Sequence, residues 1–401
     1  MFAVIFTIVV LFASVAPVVA QDFGIFEDMA PPVGQDAREP FLHVTQDGRL
    51  LMSWTEVNGA GPAVVMAVFE EGMWTVPRTI SNSADIFINW ADFPSVASFG
   101  NGTLIAHWLQ TSGQSSYDYD VQIALSRNDG ASWSTPFVPH LDGTKAQHGF
   151  VSLVPFDDDI VAVWLDGRAY DGSLVEEGAI ADQMQLRSAV LSSDGTSTPD
   201  VALDISTCSC CQTDAAVAGE SLLVVYRDRT AAEIRDIALV RLSEGEWSAP
   251  MRVHEDNWEI PGCPVNGPSI SASDWNVVVA WFTGAGNVPA VKVALSDDAG
   301  TSFRNVVRID RGEPLGRVDT LMLEDGTALV SWVEWNGPDE TLLICNVTAD
   351  GCGRTFEITS NSERSSINFP QIAATSEALF IAWTQPLTGG GDTIRLIRAT
   401  R

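Results

Sequence analysis

Seven apolar runs, six ending in Trp and one in Tyr, recur at nearly even spacing along this chain, and few folds can accommodate them. They end at Trp54, Trp108, Trp164, Tyr226, Trp281, Trp332 and Trp383, with gaps of 54, 56, 62, 55, 51 and 51 residues. Each run follows a short strand and a turn, as in Phe41–Trp54, Ser95–Trp108 and Asp319–Trp332. Repetition at this period, with several strands per unit, indicates a β-propeller. A lone unit cannot bury both faces of its small sheet, so the units must stack around an axis. The expected fold is all-β: one propeller of four-stranded antiparallel sheets, seven blades by this count, with six as the alternative. The last repeat has only three strands before Arg401, and the stretch 23–30 is placed to supply the missing outer strand.

Residues 1–20 carry no charge and end in Val18-Val19-Ala20, small residues spaced as a signal peptidase requires. They read as a cleaved signal peptide, with residues 21–401 forming the propeller, and the expected location is secreted or periplasmic. No later segment is long and apolar enough to span a bilayer. The formal charge of −30 therefore belongs to the mature chain, which repels nucleic acid and anionic membranes. An anionic ligand has to be gathered by local arginines against that field. The expected partner is a carbohydrate or glycoconjugate, with no nucleic acid, no cofactor and a monomeric chain.

In a propeller the start of each innermost strand and the end of the second share one face, around the channel mouth where ligands usually sit. The residues two after each aromatic are Glu56, Gln110, Asp166, Asp228, Thr283, Glu334 and Gln385, all polar. The starts of the innermost strands add Arg38, Asp92, His148, Gln212, Asn266 and Arg317. Arg227, Arg229 and Arg235 fall within nine residues, in a chain with only 22 Lys and Arg. Guanidinium suits bidentate capture of a carboxylate. The plainer alternatives are solvated loop starts for the rim and Arg–Asp pairing within one loop for the arginines.

Two turns carry a sharper signature. Ser296-Asp297-Asp298-Ala299-Gly300-Thr301-Ser302-Phe303 fits Ser-x-Asp-x-Gly-x-x-Phe, and Ser126–Trp133 fits it with Asn128 in the Asp position. Such a hairpin needs an acceptor for backbone N–H groups, a Gly at positive φ and an aromatic plug. These turns resemble the Asp-box, or BNR repeat, of the sialidase superfamily. The resemblance implies an exo-acting glycoside hydrolase on an acidic sugar. It also implies an arginine triad from Arg38 (in Arg38-Glu39-Pro40, similar to the family's Arg-Ile-Pro), Arg317 and one of Arg227, Arg229 or Arg235. Asp92 matches the family's acid/base Asp by position. The family's late Tyr nucleophile has no counterpart, since Tyr226 is the last Tyr. Carboxylate-pair chemistry would draw instead on Glu56, Asp166, Asp228 and Glu334.

All six Cys lie beyond the signal segment, and an even count in such a chain argues for disulfides. Cys345 and Cys352 flank one outer turn and are expected to pair. Among the other four, the least strained solution is Cys208–Cys211 with Cys210–Cys263. The alternatives are a partly reduced cluster holding a soft metal and a redox-active pair. Three function classes therefore stand: a sialidase-like hydrolase, a non-catalytic glycan- or protein-binding propeller, and a protein working through its cysteine cluster.

Overall fold

The computed structural model describes residues 24–170, 183–361 and 367–400. The signal segment expected over residues 1–20 lies outside them. Seven antiparallel sheets follow one another along the chain, with the first strand of each nearest the axis. Those seven inner strands are Ala37–Val44, Ser95–Ser98, His148–Phe156, Asp214–Ala218, Ser269–Ser273, Pro314–Met322 and Asn368–Ala374. They define blades 1 to 7. Blade 2 is a three-stranded sheet, its outer position occupied by a single bridge between Ile123 and Phe137. No α-helix occurs among the described residues, and none of their helical segments is long and apolar enough to cross a membrane.

The outer strand missing from the last repeat is Phe26–Met29, which pairs with Asp392–Thr400 in the register Phe26↔Ala399 to Met29↔Leu396. Blade 7 thus joins the two ends of the described chain. The count of seven stands, and the six-bladed alternative does not.

The aromatic repeats explain why the sheets stack. Strand geometry sends successive side chains to opposite faces, and each recurring aromatic points into the seam between blades. Trp54, Trp164, Tyr226 and Trp332 are fully buried, and Trp108, Trp281 and Trp383 nearly so. The core accordingly divides into seven apolar clusters, each shared by two adjacent blades, including one between blades 1 and 7.

The two signature turns adopt one geometry. In blade 5 Asp298 accepts Ser302 N (2.9 Å), while Ser296 Oγ accepts Gly300 N (2.9 Å). In blade 2 Asn128 accepts Ser132 N (2.9 Å), and Ser126 Oγ accepts Gly130 N (2.8 Å). Gly300 and Gly130 have φ of 71° and 80°, where glycine carries no steric cost. Both turns lie between third and fourth strand positions, at the face opposite the one formed by the second-strand ends.

Candidate functional site at the channel mouth

The inner strands begin with a repeated irregularity. Register shifts occur between Arg38 and Phe41, Gly149 and Ser152, Gly316 and Asp319, and Asn368 and Gln371. In three of these bulges a residue takes positive φ: Glu39 (58°), Phe150 (54°) and Arg317 (54°). A bulge re-aims the side chains around it, and here it does so where the strands enter the channel.

The connection from blade 1 to blade 2 lies across this mouth. Asn89 turns the chain by accepting Asp92 N through its carbonyl (3.1 Å). The next residues reach three distant blades. Ala91 O accepts Gln212 Nε2 of blade 4 (2.7 Å), the Arg317 guanidinium of blade 6 stands 5.9 Å over the Trp90 ring, and Phe369 of blade 7 lies 5.6 Å from it. Trp90 is 44% exposed, an uncommon state for Trp and the one large aromatic surface presented by this turn.

Beneath the turn a cavity of about 250 Å³ runs along the inner strands of all seven blades. Its lining holds three carboxyl groups, Asp92, Asp214 and Asp319, and no Lys or Arg. They come from alternate blades and play one structural role. Asp92 accepts Phe150 N of the next blade (2.7 Å), Asp214 accepts Ile270 N (2.8 Å), and Asp319 accepts Ile372 N (2.6 Å). Burial raises Asp92 and Asp319 to about 7 and Asp214 to about 6; Asp214 adds to the rise at Asp319. Glu39, buried in its bulge, is pushed up to about 8 by the same desolvation. Asp214 and Asp319 were not among the expected site residues, although the alternation of Asp at inner-strand starts in blades 2, 4 and 6 was available to find them.

The polar rim two residues after each aromatic has a physical origin. Positions i and i+2 share a strand face, so the carboxylate can accept the buried indole N–H. Trp54 Nε1 donates to Glu56 (2.8 Å), Trp164 Nε1 to Asp166 (2.9 Å) and Trp332 Nε1 to Glu334 (3.0 Å). The same carboxylates cap loop amides, Gly34 N for Glu56 and Arg311 N for Glu334. Where the rim residue is Gln110 or Gln385, Trp108 Nε1 and Trp383 Nε1 find no acceptor among the described residues. Asp228 differs from the other acids. It accepts Arg229 N (2.6 Å), and burial with neighbouring Asp204 raises it to about 6.

The arginines expected to act together have separate partners. Arg38 pairs with Asp36 and Asp392 at the seam of blades 1 and 7. Arg317 donates to Glu340 (3.2 Å) and to Ile367 O beside the mouth. Arg227 is buried and gives its donors to the carbonyls of Asn266, Arg235 and Phe282, with its guanidinium 5.0 Å from the Trp258 ring. Arg229 and Arg235 both grip Glu233. Among them Arg317 alone stands against the exposed Trp90.

A charged cluster fills the seam of blades 2 and 3. His140 and His148 stack at 3.7 Å, and Asp142 Oδ2 lies 3.2 Å from His148 Nε2 and 3.1 Å from Arg168 Nη2. Burial opposes a charge on His148, yet its bonds to Asp120 and Asp142 raise it to about 10. Groups of Asp120, His140 and His148, or of Asp142, His148 and Asp166, are close enough to hold a metal. Arg168 bonds Asp166 and Asp142, and an imidazolium at His148 faces Asp142 and Asp120, so each carboxylate of the cluster has a cationic partner within the chain.

Two disulfides are present. Cys345–Cys352 staples the outer turn of blade 6 as expected, and Cys210–Cys263 ties blade 4 to blade 5. Cys208 and Cys211 differ from the expected pairing: they are buried thiols with sulfurs 3.6 Å apart. Cys208 is held in place by its own N–H to Arg227 O (3.0 Å) and by Arg235 Nη1 on its sulfur (3.3 Å). The Cys211 S–H and the nearby guanidinium groups favour a thiolate at Cys208, against its burial.

No protein-family model matches the chain, and no curated protein matches its sequence. Solved structures share its architecture. A protein of unknown function from Dyadobacter fermentans is 14% identical, with 92% of this chain and 95% of that one covered at a TM-score of 0.50. The polysaccharide lyase Uly1 is 8% identical, with 97% and 94% covered at 0.56. The Hadza microbial sialidase Hz136 is 14% identical, with 74% and 63% covered at 0.46. At these identities the first two likenesses, at TM-scores of 0.50 and 0.56, bear on the fold alone.

Proposed function

We propose that this protein is an extracytoplasmic, carbohydrate-active propeller that takes an acidic glycan at the channel mouth. The observation that carries the reading is the exposed Trp90 ring, set between the Arg317 guanidinium and Phe369 and two residues before Asp92. A sugar ring stacked on Trp90 brings its carboxylate to Arg317. Asp92, whose proton is held to about pH 7, is the candidate general acid. Asp228, raised to about 6 and accepting the backbone amide of Arg229, is the candidate second carboxyl from the expected set. Glu56 and Glu334 serve in this reading as acceptors for indole and loop N–H groups. Two disulfides and the uncharged leader read in the sequence support a location outside the cytoplasm.

The test is a panel of acidic and neutral oligosaccharides titrated against the protein with intrinsic Trp fluorescence as readout. Acidic members are expected to bind, and Trp90→Ala to weaken binding at least about tenfold, as the loss of one stacking platform requires. Product analysis then separates hydrolysis, which yields a new reducing end, from elimination, which also yields a carbon–carbon double bond. Binding without either product would make the protein a glycan-binding propeller. Equal affinity of wild type and Trp90→Ala for every sugar would refute the site.

A further inference from the structure

The four cysteines near the mouth hold one disulfide and two thiols, an arrangement with more reducing capacity than a structural clamp needs. Cys208 Sγ lies 3.6 Å from Cys211 Sγ and 3.8 Å from Cys210 Sγ, so three sulfurs are in mutual reach. Their exposure is graded. Cys263 is exposed, its partner Cys210 is half-buried, and Cys208 and Cys211 are buried behind them. Arg235 Nη1 donates to Cys208 Sγ at 3.3 Å, and Arg227 lies in the same layer. A thiolate beside guanidinium groups and against a disulfide sulfur is the reacting arrangement of thiol–disulfide exchange.

We propose that Cys208, Cys210, Cys211 and Cys263 form one exchange centre, in which the outer Cys210–Cys263 bond trades places with the inner Cys208/Cys211 pair. In the first step Cys208 thiolate attacks Cys210 Sγ. The bond to Cys263 breaks, and its electron pair leaves on Cys263 as thiolate. Cys211 then loses its proton and attacks Cys208 Sγ, releasing Cys210 as thiolate, and Cys210 and Cys263 take up protons. One disulfide and two thiols are present before and after, so the step needs no external oxidant. Its product is an outward-facing Cys210/Cys263 dithiol, able to reduce an external disulfide of the low-molecular-weight kind. That reduction oxidises the outer pair again and leaves the cluster with two disulfides. The centre is independent of the glycan site in chemistry and in its test.

The experiment equilibrates the whole protein in glutathione buffers of graded reduced-to-oxidised ratio, traps thiols with acid and an alkylating agent, and maps disulfides by peptide mass spectrometry. Cys345–Cys352 serves as an internal reference. Both one-disulfide isomers, Cys210–Cys263 and Cys208–Cys211, are expected at intermediate ratios. Cys263→Ser is expected to carry Cys208–Cys211 with Cys210 alkylated, and Cys208→Ser to keep Cys210–Cys263 with Cys211 unmodified under native conditions. Circular dichroism confirms that each variant retains its sheets, and the isomer ratio in wild type tests the proposal without any variant. Only Cys210–Cys263 at every ratio that leaves the reference intact would overturn it. So would two disulfides that resist reduction until unfolding, or a soft metal ion found stoichiometrically on the thiols of the purified protein.

Discussion

The carboxyl groups of Asp214 and Asp319 meet at a single hydroxyl, that of Ser269, at 2.9 and 3.0 Å. A serine offers one hydrogen, and the same oxygen already accepts Thr320 N at 3.1 Å. One hydrogen cannot serve two carboxylates, so the second carboxyl brings its own proton. Burial and the proximity of the two groups favour the protonated forms of both carboxyls, in a cavity whose lining includes no Lys or Arg.

Folded-state stability is expected to fall as pH rises from about 5 to 8.5. Asp214 at about 6, Asp92 and Asp319 at about 7 and Glu39 at about 8 hold protons in the folded chain that the unfolded chain has released. Their contribution is complete below the ordinary carboxylate range and is lost as pH passes through these values. Each contributes a slope of at most about 1.4 kcal/mol per pH unit. His148, raised to about 10, loses its contribution only at still higher pH. Melting temperature against pH measures the trend. Asp319→Asn, which keeps an acceptor for Ile372 N and a donor for Ser269, should flatten the curve and raise stability at pH 8.

Removing a rim acid should cost stability only where an indole depends on it. Glu334→Ala leaves both Trp332 Nε1 and Arg311 N without their acceptor, a loss of about 1–3 kcal/mol. Gln385→Ala should be nearly neutral, because Trp383 Nε1 has no acceptor among the described residues to lose. Denaturant unfolding of the two variants beside wild type decides the point, and equal losses would contradict it.

Arg227→Met should lower stability by on the order of 3 kcal/mol while leaving sugar affinity unchanged. Three carbonyls would lose charged donors in a buried seam. A residue gripping substrate would give the reverse pattern, normal unfolding with weakened binding. Arg317→Met should weaken sugar binding and, because Glu340 and Ile367 O lose a charged donor, lower stability as well, so the binding readout of the two variants tests which arginine faces the ligand.

Reducing the staple in blade 6 should have a modest effect. Cys345 and Cys352 are separated by 7 residues, and closing so short a loop contributes about 2.5 kcal/mol in the chain-entropy description. Cys345→Ser/Cys352→Ser should unfold at lower denaturant by that amount while retaining all seven blades, as far-ultraviolet circular dichroism would show.

The fold was legible because its signal repeats. Seven buried aromatics at even spacing specify seven seams, and the shortfall of one strand after Asn368 pointed to the segment that pairs with Asp392–Thr400. The Cys345–Cys352 staple was readable for the same reason, since both residues flank one local turn. The site was less legible because it depends on which distant loops meet. Arg227 and Arg317 look alike in sequence, yet one is enclosed by carbonyls of neighbouring strands and the other stands at a ring brought over from blade 2. A local rule was available for Glu56 and Glu334: strand periodicity places them on the face of Trp54 and Trp332, where an indole N–H needs an acceptor.

The pairing of Phe26–Met29 with Asp392–Thr400 has a consequence in time as well as in space. An acceptor strand near one end of the chain has to wait, exposed, while more than 360 intervening residues emerge and stack. Blades 1 to 6 can assemble in the order of synthesis, but the ring shuts only when the final strand arrives. Losing either end should spoil the same blade, and splicing the two ends together while opening the chain between two other blades should leave an intact ring that no longer has to wait.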